Sequence, residues 1–402
     1  MIVVCSDMHI GLKFTYLIDK DTGLSKRTID LNIAFQQVLD AVATLAEQSP
    51  VQLIVAGDFY DKINPIPETR KHALEMLKEL PGNVITYIIG GNHDTPRDIS
   101  RGCSVDELSL LRNVNTYRNV TGVKIDDNVG LVFVPFIRPA FIKELLEKAY
   151  QKSLPNENQQ EIILMELAKK IKDEFNVIAS CKVKIAITHY YYQGFKYHAM
   201  DVGPRDSEFY LQPEMFDNFD LVLNGHVHCP QNSGKVWVVG STEATRFDER
   251  DEQKRFLVIN AEGKVSSHLI TIRPQKFIKI TYKGNIVAFN TELAGYARAI
   301  KDALVKIEVT CKSVDSQYVL NNMDFDIFKN AFYVHAPEFI REEEDLQKSV
   351  SRERLKASFT SNFLSYVETD EEASGLDKNM VKEIGTSIIQ SVGAKEAKKN
   401  AD

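Results

Sequence analysis

Five short apolar runs, rich in β-branched residues and without polar alternation, punctuate the first 225 residues of the chain. They are Met1-Ile2-Val3-Val4-Cys5, Leu53-Ile54-Val55-Ala56, Ile85 to Ile89, Val183 to Thr188, and Leu221-Val222-Leu223-Asn224. Unbroken runs of this length predict strands buried on both faces. Between them, apolar positions recur at helical spacing over 31–48, 67–80, 140–152 and 158–175. The 67–80 stretch carries Leu74, Met76, Leu77 and Leu80 on one face and charges on the other. Strands alternating with helices define an α/β architecture, and ligands of such sheets gather beyond the strand C-termini.

After Arg273-Pro274 the pattern changes. Phe277 to Tyr282 and Leu304 to Val309 alternate with period two, around a helical stretch at 291–304. Alternation marks half-buried strands, which predicts a small α+β unit with one wet face. A charged linker at 342–350 leads to two amphipathic segments. Leu355, Phe359, Phe363 and Val367 mark the first, and Met380, Val381, Ile384, Ile388 and Val392 the second. The expected organisation is thus 1–273, 274–341 and 342–402, with Ala394 to Asp402 as a disordered tail.

The residues just beyond the apolar runs carry the chemistry. In order, the runs lead into Asp7-Met8-His9, Gly57-Asp58, Gly91-Asn92-His93-Asp94, His189 and Gly225-His226-Val227-His228. Each motif alone has an ordinary reading, since Gly-Asp marks turns and a single histidine is often structural. Together they place five of the chain's nine histidines beside three aspartates and an asparagine, each set after a strand. That is enough hard and borderline donors to hold two divalent metals side by side, which predicts a two-metal phosphoesterase.

These motifs resemble those of the calcineurin-like metallophosphoesterases over about residues 1–245. Asp7-Met8-His9-Ile10-Gly11, Gly57-Asp58-Phe59-Tyr60-Asp61 and Gly-Asn-His-Asp are most similar to the SbcD-type DNA nucleases within that superfamily. Phosphoprotein phosphatases would show Asp-Arg-Gly where this chain has Asp61-Lys62-Ile63. The resemblance implies two packed sheets flanked by helices, a small α+β cap at 274–341, and C-terminal helices that dock an SbcC-type coiled-coil ATPase. It also implies that Asp7, His9 and His228 hold one ion, that Asn92, His189 and His226 hold the other, and that Asp58 bridges them with an oxygen for each. His93 would act on the transition state or protonate the leaving alkoxide, with Asp94 orienting its ring. Manganese is the metal the resemblance favours. Where some family members carry a histidine, this chain has Asp61, so a second catalytic imidazole is not expected there. The implied activity is DNA exo- and endonuclease action at broken or structured ends, by a homodimer within an ATPase–nuclease complex.

Composition bounds this picture. At 402 residues the chain is expected to hold two or three domains. No apolar run approaches the eighteen or so residues that span a bilayer. Five scattered cysteines without paired spacing fit a reducing, cytoplasmic setting, with Cys5, Cys181 and Cys229 as small buried thiols. A net charge of −7 argues against strong autonomous DNA binding, so a partner would supply part of the electrostatics. The polar stretch from Lys13 to Arg27 reads as a solvated loop beside the first ligand pair. Two alternatives stay open: a small-nucleotide phosphodiesterase or pyrophosphatase of the same fold, and a non-catalytic scaffold.

Overall fold

The computed structural model describes residues 1–13, 18–98, 101–154, 158–195, 197, 209–272, 276–283, 286–311 and 316–341. The expected linker, amphipathic segments and tail at 342–402 lie outside the described residues.

Two six-stranded sheets form the centre of the fold. The first contains β1 (Ile2–Cys5), β2 (Val51–Val55), β3 (Val84–Ile89) and β4 (Val114–Tyr117) as parallel neighbours. The second contains β5 (Thr121–Lys124), β6 (Val129–Val134) and β7 (Val183–Thr188); β8 (Tyr191–Tyr192) and β9 (Tyr210–Leu211) pair separately. It is completed by β10 (Leu221–Asn224), β11 (Gln231–Ser233) and β12 (Val236–Val238). The chain then returns to the first sheet, where β13 (Arg255–Ile259) runs antiparallel to β1 and β14 (Val265–Leu269) antiparallel to β13.

The apolar runs are unbroken because each strand faces two cores. Ile2 and Val4 point with Ile54, Tyr87 and Ile89 into the space between the sheets, meeting Leu131, Phe133, Ile185, Ile187 and Leu223 of the second sheet. Val3 and Cys5 point the other way, toward α1 (Lys26–Ala46) and α2 (Pro67–Lys78), where Phe35, Val38, Val42, Met76 and Leu77 cover them. The outer face of the second sheet is covered in the same manner by α3 (Pro139–Tyr150) and α4 (Gln159–Ile178), through Ile142, Leu146, Ile163, Leu167 and Ile171. The result is a four-layered α/β sandwich. Among the described residues, no helix is long and apolar enough to cross a membrane.

One local difference from the sequence pattern is instructive. Helix α1 begins at Lys26, five residues before the apolar periodicity that announced it. Its first turns bury polar side chains: Arg27 is fully enclosed, pairs with Asp30 at 3.3 Å, donates to the Ala244 carbonyl and lies 5.2 Å from the centre of the Phe277 ring. The end of the Lys13–Arg27 stretch is therefore core rather than solvated loop.

The chain divides into two compact units. The first holds 1–280, 295–307 and 325–336; the second holds 281–294, 308–324 and, among the described residues, 337–341. Three further elements belong here: β15 (Lys276–Lys283), α5 (Ile286–Ile300) and β16 (Ala303–Cys311). After them come α6 (Ser316–Asn322), β17 (Tyr333–Val334) and β18 (Glu338–Arg341). Within the first unit, Leu304 and Val305 pair with β17, and Phe277, Leu304, Phe332 and Tyr333 close over Ala244 and Phe247. Within the second, residues 308–311 pair parallel with β18 and the Tyr282 and Phe289 rings pack 4.6 Å apart.

Candidate metal centre

Parallel pairing puts the C-terminal ends of β1, β2 and β3 at one edge of the first sheet, and those of β7 and β10 at one edge of the second. The loops leaving these five ends meet. Their turns are sharp: Asp7, His9, Asp58 and His226 all adopt left-handed backbone, with φ of 53°, 46°, 48° and 74°. Non-glycine residues adopt it uncommonly, and here four of them gather at one place. Gly57 (φ 91°) and Gly225 are needed for close approach, because a Cβ on either would strike the His189 ring. Hydrogen bonds lock the loops together. The amides of Asp7 and His9 donate to the carbonyls of Gly57 and Asp58 at 3.1 Å, and the His226 amide donates to both Asp7 carboxylate oxygens at 3.0 Å.

The seven donors expected from the sequence converge. His9 Nε2 and His228 Nε2 are 3.0 Å apart, and His228 Nε2 lies 3.9 Å from Asp7 Oδ1. On the other side, Asn92 Oδ1 lies 3.1 Å from His189 Nε2 and 2.9 Å from His226 Nδ1. Asp58 stands between, with Oδ2 3.3 Å from His189 Nε2 and 3.8 Å from His9 Nε2. Oδ2 thus faces both groups, while Oδ1 accepts the His93 amide at 2.8 Å. Potential ligand atoms cluster within 4.8 Å of one another as Asp7–His9–His228 and as Asp58–His189–His226.

The donor set fits metal ions. His189 Nδ1 donates to the Ala56 carbonyl at 2.7 Å and His228 Nδ1 to Glu249 Oε1 at 2.9 Å. Each ring therefore turns Nε2 toward carboxylate, amide oxygen or another imidazole. Groups that are all acceptors crowd together only when a cation or a proton lies among them. Manganese, iron or zinc suits such mixed oxygen and nitrogen donors better than calcium.

His93 sits at the mouth of the centre with its ring open to solvent, 4.7 Å and edge-on from the His9 ring. A ring nitrogen also falls within 4.8 Å of donors on His9 and Asp58, so the geometry admits it as a ligand as well as a proton carrier. The role expected for Asp94 needs correction. The His93 ring is oriented by the Asp61 carbonyl, which accepts Nδ1–H at 2.7 Å. Asp94 is fully buried and instead receives the amides of Phe59, Tyr60 and Gly91, each at 3.1 Å, and the Ser104 hydroxyl at 2.8 Å. It clamps the Asp58 loop to the Asn92 loop. Asp61 lies behind His9, 3.6 Å from Nδ1.

One set of residues went unnoticed in the sequence. Glu249 and Lys254 are buried behind His228, joined at 2.7 Å, with Thr245 and Ser241 bonded to the Glu249 carboxylate. Their stretch, Asp248 to Lys254, is so charged that it reads as solvated surface.

The electrostatics reflect this crowding. Burial alone would raise the Asp58 carboxyl, but His189, His93 and His9 hold it well below the usual carboxylate range. Burial opposes charge on His189, yet Asp58 and Asp7 push its pKa from 6.5 up to about 9. Against the same burial, Asp58 raises His93 and Glu249 raises His228; burial and the His189 neighbour push His226 well down. A histidine whose folded pKa exceeds its unfolded value stabilises the fold fully below the unfolded pKa, and loses that contribution as pH rises through the folded one. The metal-free chain should therefore melt progressively lower between about pH 6.5 and 9, the window set by His189. Saturating Mn²⁺ should remove the fall, since ion uptake displaces those protons. Thermal melts with chelator and with Mn²⁺ across this range test it, and a flat chelator profile would contradict it.

Two strand-end loop sets that gather carboxylate, amide and imidazole donors for paired ions define a metal-dependent phosphoesterase. The sequence model for calcineurin-like phosphoesterases matches residues 1–230, and the chain belongs to that family. Dependence on two metal ions is typical of the family and agrees with the clustered donors.

Proposed function

We propose that this chain is a DNA nuclease, a phosphodiesterase that cuts at broken or structured ends. The observation that carries this reading is the exposed His93 ring beside the donor cluster. Cleavage of an alkyl phosphodiester releases an alkoxide that needs a proton. A histidine whose Nδ1–H is held by the Asp61 carbonyl gives one from Nε2 as the imidazolium, the form that the neighbouring Asp58 charge favours. Bound ions supply charge neutralisation at the phosphate and activation of water. Asp7, His9 and His228 would hold one ion and Asn92, His189 and His226 the other, with Asp58 shared.

A nucleic acid rather than any small ester is favoured by a group of tyrosines next to the centre. The Tyr191 ring meets His226 edge-on at 4.3 Å, and Tyr197 and Tyr210 lie 5.2 and 5.9 Å from Tyr191. All three are half-buried, so they present ring surface on which bases stack. The acidic net charge of −7 favours help from a partner. In this reading the nuclease works as a homodimer with a coiled-coil ATPase, and docking falls to the 342–402 region. Co-purification of such an ATPase from the native host tests that part.

The net charge also suits the second reading, a phosphodiesterase for small nucleotides. Purified chain reconstituted with Mn²⁺ should degrade single-stranded DNA and hairpin loops, act slowly on duplex ends without the partner, and spare closed circular duplex. Tyr191→Ala should raise KM for DNA by about 5–150-fold, as loss of one stacking contact of 1–3 kcal/mol implies. Its rate on bis(p-nitrophenyl) phosphate should fall far less than its efficiency on DNA. Hydrolysis confined to dinucleotides or phosphomonoesters would defeat the nuclease reading.

A further inference from the structure

His228 is held from behind by a buried charged cluster that lies wholly beyond the family match at residue 230. Its ring Nδ1 donates to Glu249 Oε1 at 2.9 Å, beside Thr245 Oγ1 at 2.9 Å. Glu249 is itself saturated. Thr245 donates to it through its hydroxyl at 2.6 Å and its amide at 3.1 Å, Ser241 through its hydroxyl at 3.2 Å, and Lys254 through Nζ at 2.7 Å. Lys254 also donates to the main-chain carbonyl of His228 at 3.1 Å and to Glu252 at 2.6 Å. Ring and backbone of one candidate ligand are thus fixed by the same ion pair.

The two halves of the centre are not treated alike. On the other side, His189 is backed by the neutral carbonyl of Ala56 at 2.7 Å. A carboxylate behind an imidazole fixes the tautomer and makes the outward nitrogen a stronger donor than a carbonyl does. Hence we infer that Glu249, seated by Lys254, is a positioning residue for His228 and makes the Asp7–His9–His228 site the tighter of two unequal ion sites. This goes beyond the choice of phosphodiester and rests only on the two-ion reading.

Chelator-competition titration of Mn²⁺ into the full chain is the test. Glu249→Gln takes one of two carboxylates from Lys254, which keeps Glu252, and leaves Arg246 without this partner. It is therefore paired with the double variant Glu249→Gln/Lys254→Met, which removes one charge of each sign. In both, the tighter site should weaken by about 10–100-fold while the second changes less than about twofold. If the cluster serves only to fill the core, the double variant regains wild-type affinity, and that result overturns the inference. Equal weakening of both sites overturns it too. A measurement on the wild-type chain does not depend on variant folding: with Zn²⁺ bound, histidine ¹⁵N spectra should show His228 protonated at Nδ1 and bound through Nε2. The reverse assignment defeats the inference. Binding of fewer than two ions by the wild type defeats the two-ion reading itself, and the inference with it.

Discussion

Asp58→Asn should leave a folded chain that no longer holds two ions and no longer hydrolyses phosphodiesters. The Asp58 carboxylate is the one donor shared by both groups, with a single oxygen 3.3 Å from His189 and 3.8 Å from His9. Asparagine keeps its shape and its tolerance of the left-handed backbone at this position, but removes the negative charge. The loss in rate should exceed the roughly 10–100-fold expected when only a partner supporting a ligand is removed. Elemental analysis after gel filtration, beside turnover of bis(p-nitrophenyl) phosphate, makes the comparison. Wild-type stoichiometry in the variant would show that Asp58 does not bridge.

The second large effect concerns His93. His93→Gln should keep both ions and slow DNA cleavage by about 10²–10⁴-fold, the usual contribution of general acid catalysis. The leaving group separates mechanisms. A p-nitrophenolate departs without a proton, so bis(p-nitrophenyl) phosphate should be spared most of the loss. A histidine that ligates an ion or merely shapes the loop would depress both substrates together. Equal losses, or loss of metal, would remove His93 from its role as acid.

Much of this centre was legible because its residues come directly after unbroken apolar runs. Val3 and Val4 face opposite cores, so no polar residue is tolerated until the strand ends, and Asp7 marks that end. The same logic located Asp58, Asn92, His189 and His226. It failed where polar groups are buried. Arg27 and Asp30 open α1 inside the core, so the helix began before its apolar periodicity did. Glu249 and Lys254 look like surface charges because only their partners in space reveal otherwise. The part assigned to Asp94 went to a main-chain carbonyl, that of Asp61, and no side-chain pattern records what a carbonyl does.

The left-handed turns at Asp7, His9, Asp58 and His226 bear on how such a chain drifts over generations. Each costs the fold about 1 kcal/mol relative to glycine, which takes this conformation freely. Were the chemistry idle, glycine at His9 or His226 would relieve that cost, whereas at Asp7 or Asp58 it would also remove the carboxylates that accept the His226 and His93 amides. A lineage that kept the protein only as a scaffold would shed His9 and His226 before Asp7 and Asp58. These four positions are where a catalytic lineage and a scaffold lineage of the fold should first part company.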